Sequence, residues 1–347
     1  MRRIVVVSTG GWDSVSTQYR LGPLARAWRA PFEVQSARWL PERAQVKRIF
    51  DSSGSDAVLI LQRVLPERHV LRALRSSFGA LVFDFDDAIY AVPPAVGAHG
   101  VGRHLKATAR LVLRGSRTAS VRRRPLADLL REVDVCVAGN AVLARFARTY
   151  ASRVVEIPTT IEPVPRASLA VREANVLVWM GLPDNLQYLE LLRPALTALA
   201  RRSSVRLRIV SSATWSSAPI TVEHVPWSLD NAREALLTSS VGLSPLTDDP
   251  WTRGKCALRA IQYGAHALPT VASPVGITDQ VVLHRQTGFL ARTGEEWTTA
   301  VESLLDERPM AAKMGEKALA HVTSHYSDEV ALRRWQQVME LAGRMAP

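Results

Sequence analysis

Short runs of aliphatic and β-branched residues recur along the chain, and most are followed by a longer stretch with the three-to-four-residue apolar spacing of a helix. That alternation predicts parallel sheets covered by helices on both faces. In the first half the predicted strands are 4–8, 32–36, 57–62, 81–85, 134–138 and 154–157. The second half supplies 175–180, 206–211, 221–225, 241–244, 269–272 and 288–291, a second series of the same kind. Helices are predicted at about 295–307, 309–322 and 328–344, the last with Trp335 and Met339 on one side. The stretch 158–165 holds Pro158, Pro163 and Pro165, which deny a helix and mark a linker. A length of 347 residues exceeds one ordinary core of roughly 100–200 residues. The expectation is therefore α/β, with two domains built on parallel sheets. The expected division is 1–160, a linker at 161–172, a second domain at 173–325 and a terminal helix over 326–347.

Composition is that of a globular protein, 47% apolar and 22% charged. The charge is one-sided: residues 1–170 hold 26 Lys and Arg against 14 Asp and Glu, so the net +12 lies there and the rest is neutral. Such a field attracts polyanions, anionic lipid or acidic acceptors, although an arginine-rich background composition gives the same count. Arg103, Lys106, Arg110, Arg114 and Arg117 share one helical face within 103–124, a stretch without acids. This reads either as an acceptor-side or peripheral contact with an anionic membrane, or as a solvated helix. Aromatic residues do not interleave with these bases, so nucleic acid is not expected. Cys136 and Cys256 lack zinc or disulfide spacing and read as free thiols. The apolar run at 4–7 is too short for a signal-peptide core, and no stretch of ~18 apolar residues occurs. A cytoplasmic protein, peripheral to the membrane at most, is expected. The histidines, His224 and His266 included, show no metal spacing, and no metal or resident cofactor is expected.

The most informative stretch is 245–276. It reads as the end of a buried strand, a polar turn with Asp248 and Asp249, a helix opening near Gly254, and a strand ending at Pro274-Val275-Gly276. Helix amino termini at the carboxyl ends of parallel strands present unpaired N–H groups to anions. Arg253, Lys255 and Arg259 would add charge and Gly254 close backbone approach, unless this is simply a solvated first turn. Gly10 and Gly11 follow the first strand, with Asp13 beside them; an ordinary turn explains them equally well. Asp84, Asp86 and Asp87 cluster at a strand's carboxyl end, suited to acceptor hydroxyl binding or to structural capping, and Asp13 and Asp87 are the catalytic candidates.

The order of strand-end Pro-Leu, charged turn, Lys, helix and Val-Ala-Ser…Val-Gly in 245–276 resembles the donor-binding segment of glycosyltransferase family 4, of the GT-B type. Trp179-Met180-Gly181, Val225-Pro226-Trp227-Ser228, Thr287-Gly288-Phe289-Leu290, Asp84–Tyr90 and Val137–Leu143 agree, so the likeness runs over most of 80–340. The resemblance implies two Rossmann-like doubly wound parallel-sheet domains facing across a cleft, with the helix over 326–347 crossing back to the first, and a retaining transferase that moves a sugar from a UDP- or GDP-linked donor to a glycan, lipid-linked or small-molecule acceptor. It implies donor contacts from Gly10, Gly11, Trp227, Asp248, Arg253, Gly254, Lys255, Arg259 and Gln262. Two departures stand out. Gly254 and Gln262 replace the paired glutamates of many members, and Gly181-Leu182-Pro183-Asp184 lacks the Arg and Lys that others place there. A binding protein without turnover and a nucleotide-sugar epimerase are the alternatives within the same architecture.

Overall fold

The computed structural model describes residues 2–36, 49, 51, 54–92, 118–165, 171–202 and 204–343. Strands β1 (Ile4–Ser8), β2 (Phe32–Ser36), β3 (Gly54–Gln62), β4 (Phe78–Phe85), β5 (Val135–Ala138) and β6 (Val154–Glu156) form a sheet in the order β2-β1-β3-β4-β5-β6. A second sheet has the order β12-β11-β10-β7-β8-β9, from β7 (Val176–Met180), β8 (Arg206–Val210), β9 (Val222–Val225), β10 (Val241–Ser244), β11 (Thr270–Ala272) and β12 (Gly288–Leu290). All the pairings are parallel. The strand order reverses between β1 and β3 in the first sheet and between β7 and β10 in the second. Those two switch points are where an open α/β sheet leaves a crevice beyond its strand ends.

Helices cover both faces of each sheet: α1 (Val15–Ala27), α2 (Arg68–Ser77), α3 (Thr118–Glu132) and α4 (Ala141–Ala147) follow strands of the first. The second half adds α5 (Arg193–Leu199), α6 (Leu229–Thr238), α7 (Leu258–Ala265), α8 (Thr278–Val281), α9 (Gly294–Asp306), α10 (Arg308–His325) and α11 (Asp328–Gly343). The two-residue alternation of a strand sorts the first core into two layers. Val5, Val7, Leu59, Leu61, Leu81 and Phe83 pack with Leu74 of α2 and Leu126 and Leu129 of α3. Ile4, Val6, Val58, Ile60 and Val82 point the other way, onto Leu21 and Leu24 of α1 and onto Ala331, Trp335 and Val338 of α11.

The last helix therefore lies on the first sheet. Trp335 is fully buried there and donates its indole N–H to the Arg20 carbonyl at 3.0 Å. Burying a tryptophan removes about 150–250 Å² from water, worth roughly 4–6 kcal/mol at ~25 cal/mol per Å². In the second domain Leu177, Trp179, Leu207, Ile209 and Leu243 pack against Leu196, Leu199, Val301 and Leu304. A capping box between Thr293 and Glu296 opens α9. The proline-rich connection is extended, and its Ile161 and Val164 amides donate to the Tyr326 and Ala265 carbonyls, both at 3.0 Å.

One local expectation is corrected. No α-helix opens near Gly254: Thr252–Gly254 is a single 3-10 turn, and α7 starts at Leu258. Ala257 adopts a left-handed φ of 51°, which breaks the helical path and turns Cys256 into a buried contact before the helix begins.

Candidate functional site

The residues just beyond β4 and β5 meet those beyond β10, which closes part of the gap between the domains. Asn140, which caps α4, donates from Nδ2 to the Gly254 and Lys255 carbonyls at 2.9 and 3.3 Å. The Cys256 thiol donates to the Asp86 carbonyl at 3.1 Å. Gly254 sits so close to the first domain that a Cβ on it would lie 2.5 Å from the Cβ of Ala88. Farther along, Gln262 of α7 donates to the Tyr19 hydroxyl of α1 at 3.1 Å. The close approach expected of Gly254 is thus made to protein, and the segment Gly254–Cys256 forms a seam between domains rather than an open wall. In this arrangement the Gly254 carbonyl accepts from Asn140 and its amide donates to the Trp251 carbonyl at 3.1 Å.

Beneath the seam lies a buried polar network. Arg20 pairs bidentately with Asp84 and donates to the Ile157 carbonyl at 2.5 Å. Gln62 adds a hydrogen bond to Asp84 at 3.3 Å, and its own Oε1 accepts from Thr17 at 2.7 Å. Burial opposes the Arg20 charge, but Asp84 outweighs it and holds the guanidinium above its ordinary range. Asp84 is completely enclosed and stands as the counter-ion of Arg20.

Asp86 and Asp87 differ from Asp84 and from each other. Asp86 accepts from Ser16 at 2.6 Å and pairs with Arg63 at 3.4 Å. Although burial works against it, Arg63, Arg20 and Ser16 keep its carboxyl below the usual value. Asp87 is raised, by burial first and by Asp86 second. It reaches Arg63 at 3.4 Å and, across the gap, the Lys255 ammonium at 3.9 Å.

On the donor side the three candidate cations part company. Arg253 is exposed and tied to Asp248 at 2.5 Å. Lys255 faces Asp87 and stands 5.5 Å from the centre of the Trp251 ring. Arg259 is the exception: half-buried, it donates from Nε to the Met180 carbonyl at 2.7 Å and lies 4.9 Å over Trp179. Among the described residues no carboxylate pairs with it, and its terminal nitrogens have no hydrogen-bond partner. Burial holds it below the ordinary arginine range. It stands at the carboxyl end of β7, the switch point of the second sheet, and its guanidinium closes over Gly181, where a Cβ would come 3.2 Å from Nη2.

The remaining candidates lie around this centre. Gly10 and Gly11 follow β1, and Gly11 takes a left-handed φ of 58° that opens the 3-10 turn carrying Trp12 and Asp13, both exposed. Trp227 is exposed beyond β9. His266 is buried beneath α7 with Nδ1 2.7 Å from the Gln262 carbonyl. Arg103, Lys106, Arg110, Arg114 and Arg117 lie outside the described residues. Among the described residues no cluster of metal-ligating side chains occurs, and no helix is long and apolar enough to cross a membrane. Neither Arg63 nor Cys256 stands out in the sequence as a site residue. Arg63 carried no signal at all, whereas Asn140 stood in a quoted strand–helix motif without a role.

Two doubly wound parallel sheets, joined by a linker and returned to by the last helix, make this a GT-B fold. No family model matches the chain, and no curated protein matches it. Solved structures do resemble it. Sucrose-phosphate synthase from Thermosynechococcus elongatus is 13% identical with a TM-score of 0.68, over 99% of this chain and 100% of that one. Anabaena HepE in complex with UDP-glucose is 12% identical with a TM-score of 0.64, over 98% and 100%. S. aureus TarM in complex with fondaparinux, α-GlcNAc-glycerol and UDP is 10% identical with a TM-score of 0.58, over 86% of this chain. The chain spans only 58% of the length of that TarM chain.

Proposed function

We propose that the chain is a hexosyltransferase-like glycosyltransferase that moves a sugar from a UDP- or GDP-linked donor to an acceptor hydroxyl with retention of configuration. The observation that carries this reading is Arg259, a guanidinium without a carboxylate partner among the described residues, standing at the switch point of the second sheet. A free guanidinium fork matches the paired oxygens of a diphosphate, and the first-turn N–H groups of α7 lie beside it. Two similarly folded proteins support it, TarM in a complex that includes UDP and HepE in complex with UDP-glucose. We divide the chain at 161–172, with 1–160 on the acceptor side, 173–325 on the donor side and 326–347 returning to the first domain. The proposal places the reaction in the cytoplasm.

In this reaction the bond from the sugar's anomeric carbon to the diphosphate oxygen breaks, and a bond from that carbon to the acceptor oxygen forms on the same face. The acceptor proton leaves with the diphosphate. The developing negative charge falls on the diphosphate, so a fixed cation there stabilises the transition state more than the ground state. Asp87, with its raised affinity for a proton, accepts a hydrogen bond from the acceptor hydroxyl and positions it. Contact between the domains at Gly254 and Ala88 keeps water from the anomeric carbon. Incubation with UDP- and GDP-sugars tests the proposal: slow release of the nucleoside diphosphate, faster with acceptor, is expected. Saturable binding without any release would refute it.

A further inference from the structure

We infer that the first domain carries a second binding site, a groove between α2 and α3 that takes the phosphate of an amphiphilic ligand. That this ligand is the sugar acceptor rests on the transferase reading; the groove itself does not.

The groove has a volume of about 850 Å³, within the ~300–1,000 Å³ usual for small-molecule sites. Pro66, Leu71 and Pro125 line its apolar part, and Arg68, Arg72 and Arg124 its basic part. An adjoining hollow of about 470 Å³ shares Arg68, Arg124 and Asp128 and adds Arg123, Arg131 and Tyr150. Against these arginines stand only two lining carboxylates. Asp128 holds Arg68 at 2.8 Å and Arg131 at 3.4 Å, while Glu67 lies 3.5 Å from His69. Among the described residues Arg72, Arg123 and Arg124 have no carboxylate partner, which leaves a surplus of positive charge around the apolar lining. Glu67 does not cap α2 with its side chain, and that helix has no acid in its first turn. Its first N–H groups add to the field.

The chemistry follows from this pairing of surfaces. Arginine forks bind phosphate oxygens bidentately, and the apolar lining suits the stem that carries the phosphate. A single molecule fits better than a bilayer, because Pro66 and Leu71 are buried rather than projecting as a membrane contact requires. Position links the groove to the reaction. Both helices follow β3 and β4, so their amino ends lie at the strand ends that carry Asp86 and Asp87.

The test uses the full chain and three probes: dodecyl phosphate below its micellar concentration, inorganic phosphate and dodecyl maltoside. Dodecyl phosphate should bind more tightly than either of the others. The Arg72→Ala/Arg124→Ala variant should lose about tenfold or more of that affinity, with its melting temperature and its response to UDP unchanged. Arg201→Ala, on the exposed surface of the second domain, should bind as the parent does. Equal dodecyl phosphate affinity in parent and double variant would overturn the proposal. So would binding seen only on vesicles of phosphatidylcholine with phosphatidylglycerol. If UDP fails to bind while dodecyl phosphate still does, the groove stands and the transferase reading falls.

Discussion

Gly254→Ala adds one methyl group at the tightest contact between the domains. The new Cβ would lie 2.5 Å from the Cβ of Ala88, 3.0 Å from its amide nitrogen and 3.1 Å from its Cα. Carbon atoms rest at about 3.5–4.0 Å, and none of those Ala88 atoms can rotate away, so the two backbones must separate by roughly 1 Å. Overpacking of this kind costs about 1–3 kcal/mol. Because the strain exists only where the domains touch, it shifts the balance between closed and open forms by about 5–150-fold. The Asn140 and Cys256 hydrogen bonds across the seam would be lost together. Small-angle scattering should report a larger radius of gyration for the variant. Hydrogen exchange should speed up at the Gly139 and Ile89 amides, with little change at Val6 or Leu243 deep in the sheets. Ala88→Gly in the same chain should restore both readouts. An unchanged radius together with unchanged exchange at the seam would refute the claim that the interdomain contact requires glycine at 254.

His266 is buried and its pKa falls from the ordinary 6.5 to about 4, mainly through desolvation and with help from Arg172 and Arg233. The folded state binds this proton less well than the unfolded chain, so the contribution is complete above pH 6.5 and fades as pH drops towards 4, in all roughly 3 kcal/mol. Urea unfolding between pH 7 and 5 should weaken the parent by roughly 2 kcal/mol more than His266→Gln; parallel pH curves would refute this. Asp84→Asn removes the one carboxylate hydrogen-bonded to the enclosed Arg20 and leaves Asp86 as its unbonded counter-charge, at a cost of up to about 3–5 kcal/mol. Denaturant melting should show the double replacement Arg20→Met/Asp84→Leu to be less damaging, and an additive loss would contradict the pairing.

The sheets were readable because their signal is local. Aliphatic runs such as Ile4–Ser8 and Val241–Ser244 are short, continuous and apolar, which is what a strand buried on both faces requires. The helix Asp328–Gly343 was readable for the same reason, its Trp335 and Met339 marking the packed side. What failed depends on residues far apart in the chain. Nothing near Asp84 tells that Arg20, 64 residues earlier, pairs with its carboxylate. The helix near 254 was misplaced because a contact with Asn140 and Asp86, made only when the domains meet, draws Cys256 inward and leaves Ala257 left-handed. Arg253, Lys255 and Arg259 looked alike as charges near a helix start. Only their partners separate them: Asp248 for the first, Asp87 for the second, and for the third a carbonyl and an indole face.

Those partners also define the sharpest trial of the donor site. Calorimetric titration of UDP into the parent, Arg259→Ala and Arg253→Ala should give clear binding by the parent and nearly the same by Arg253→Ala. Arg259→Ala should bind about tenfold or more weakly, as expected when a charged hydrogen-bonding partner worth about 1.5–3 kcal/mol is removed. Parental affinity in Arg259→Ala would contradict the assignment of this guanidinium to the diphosphate.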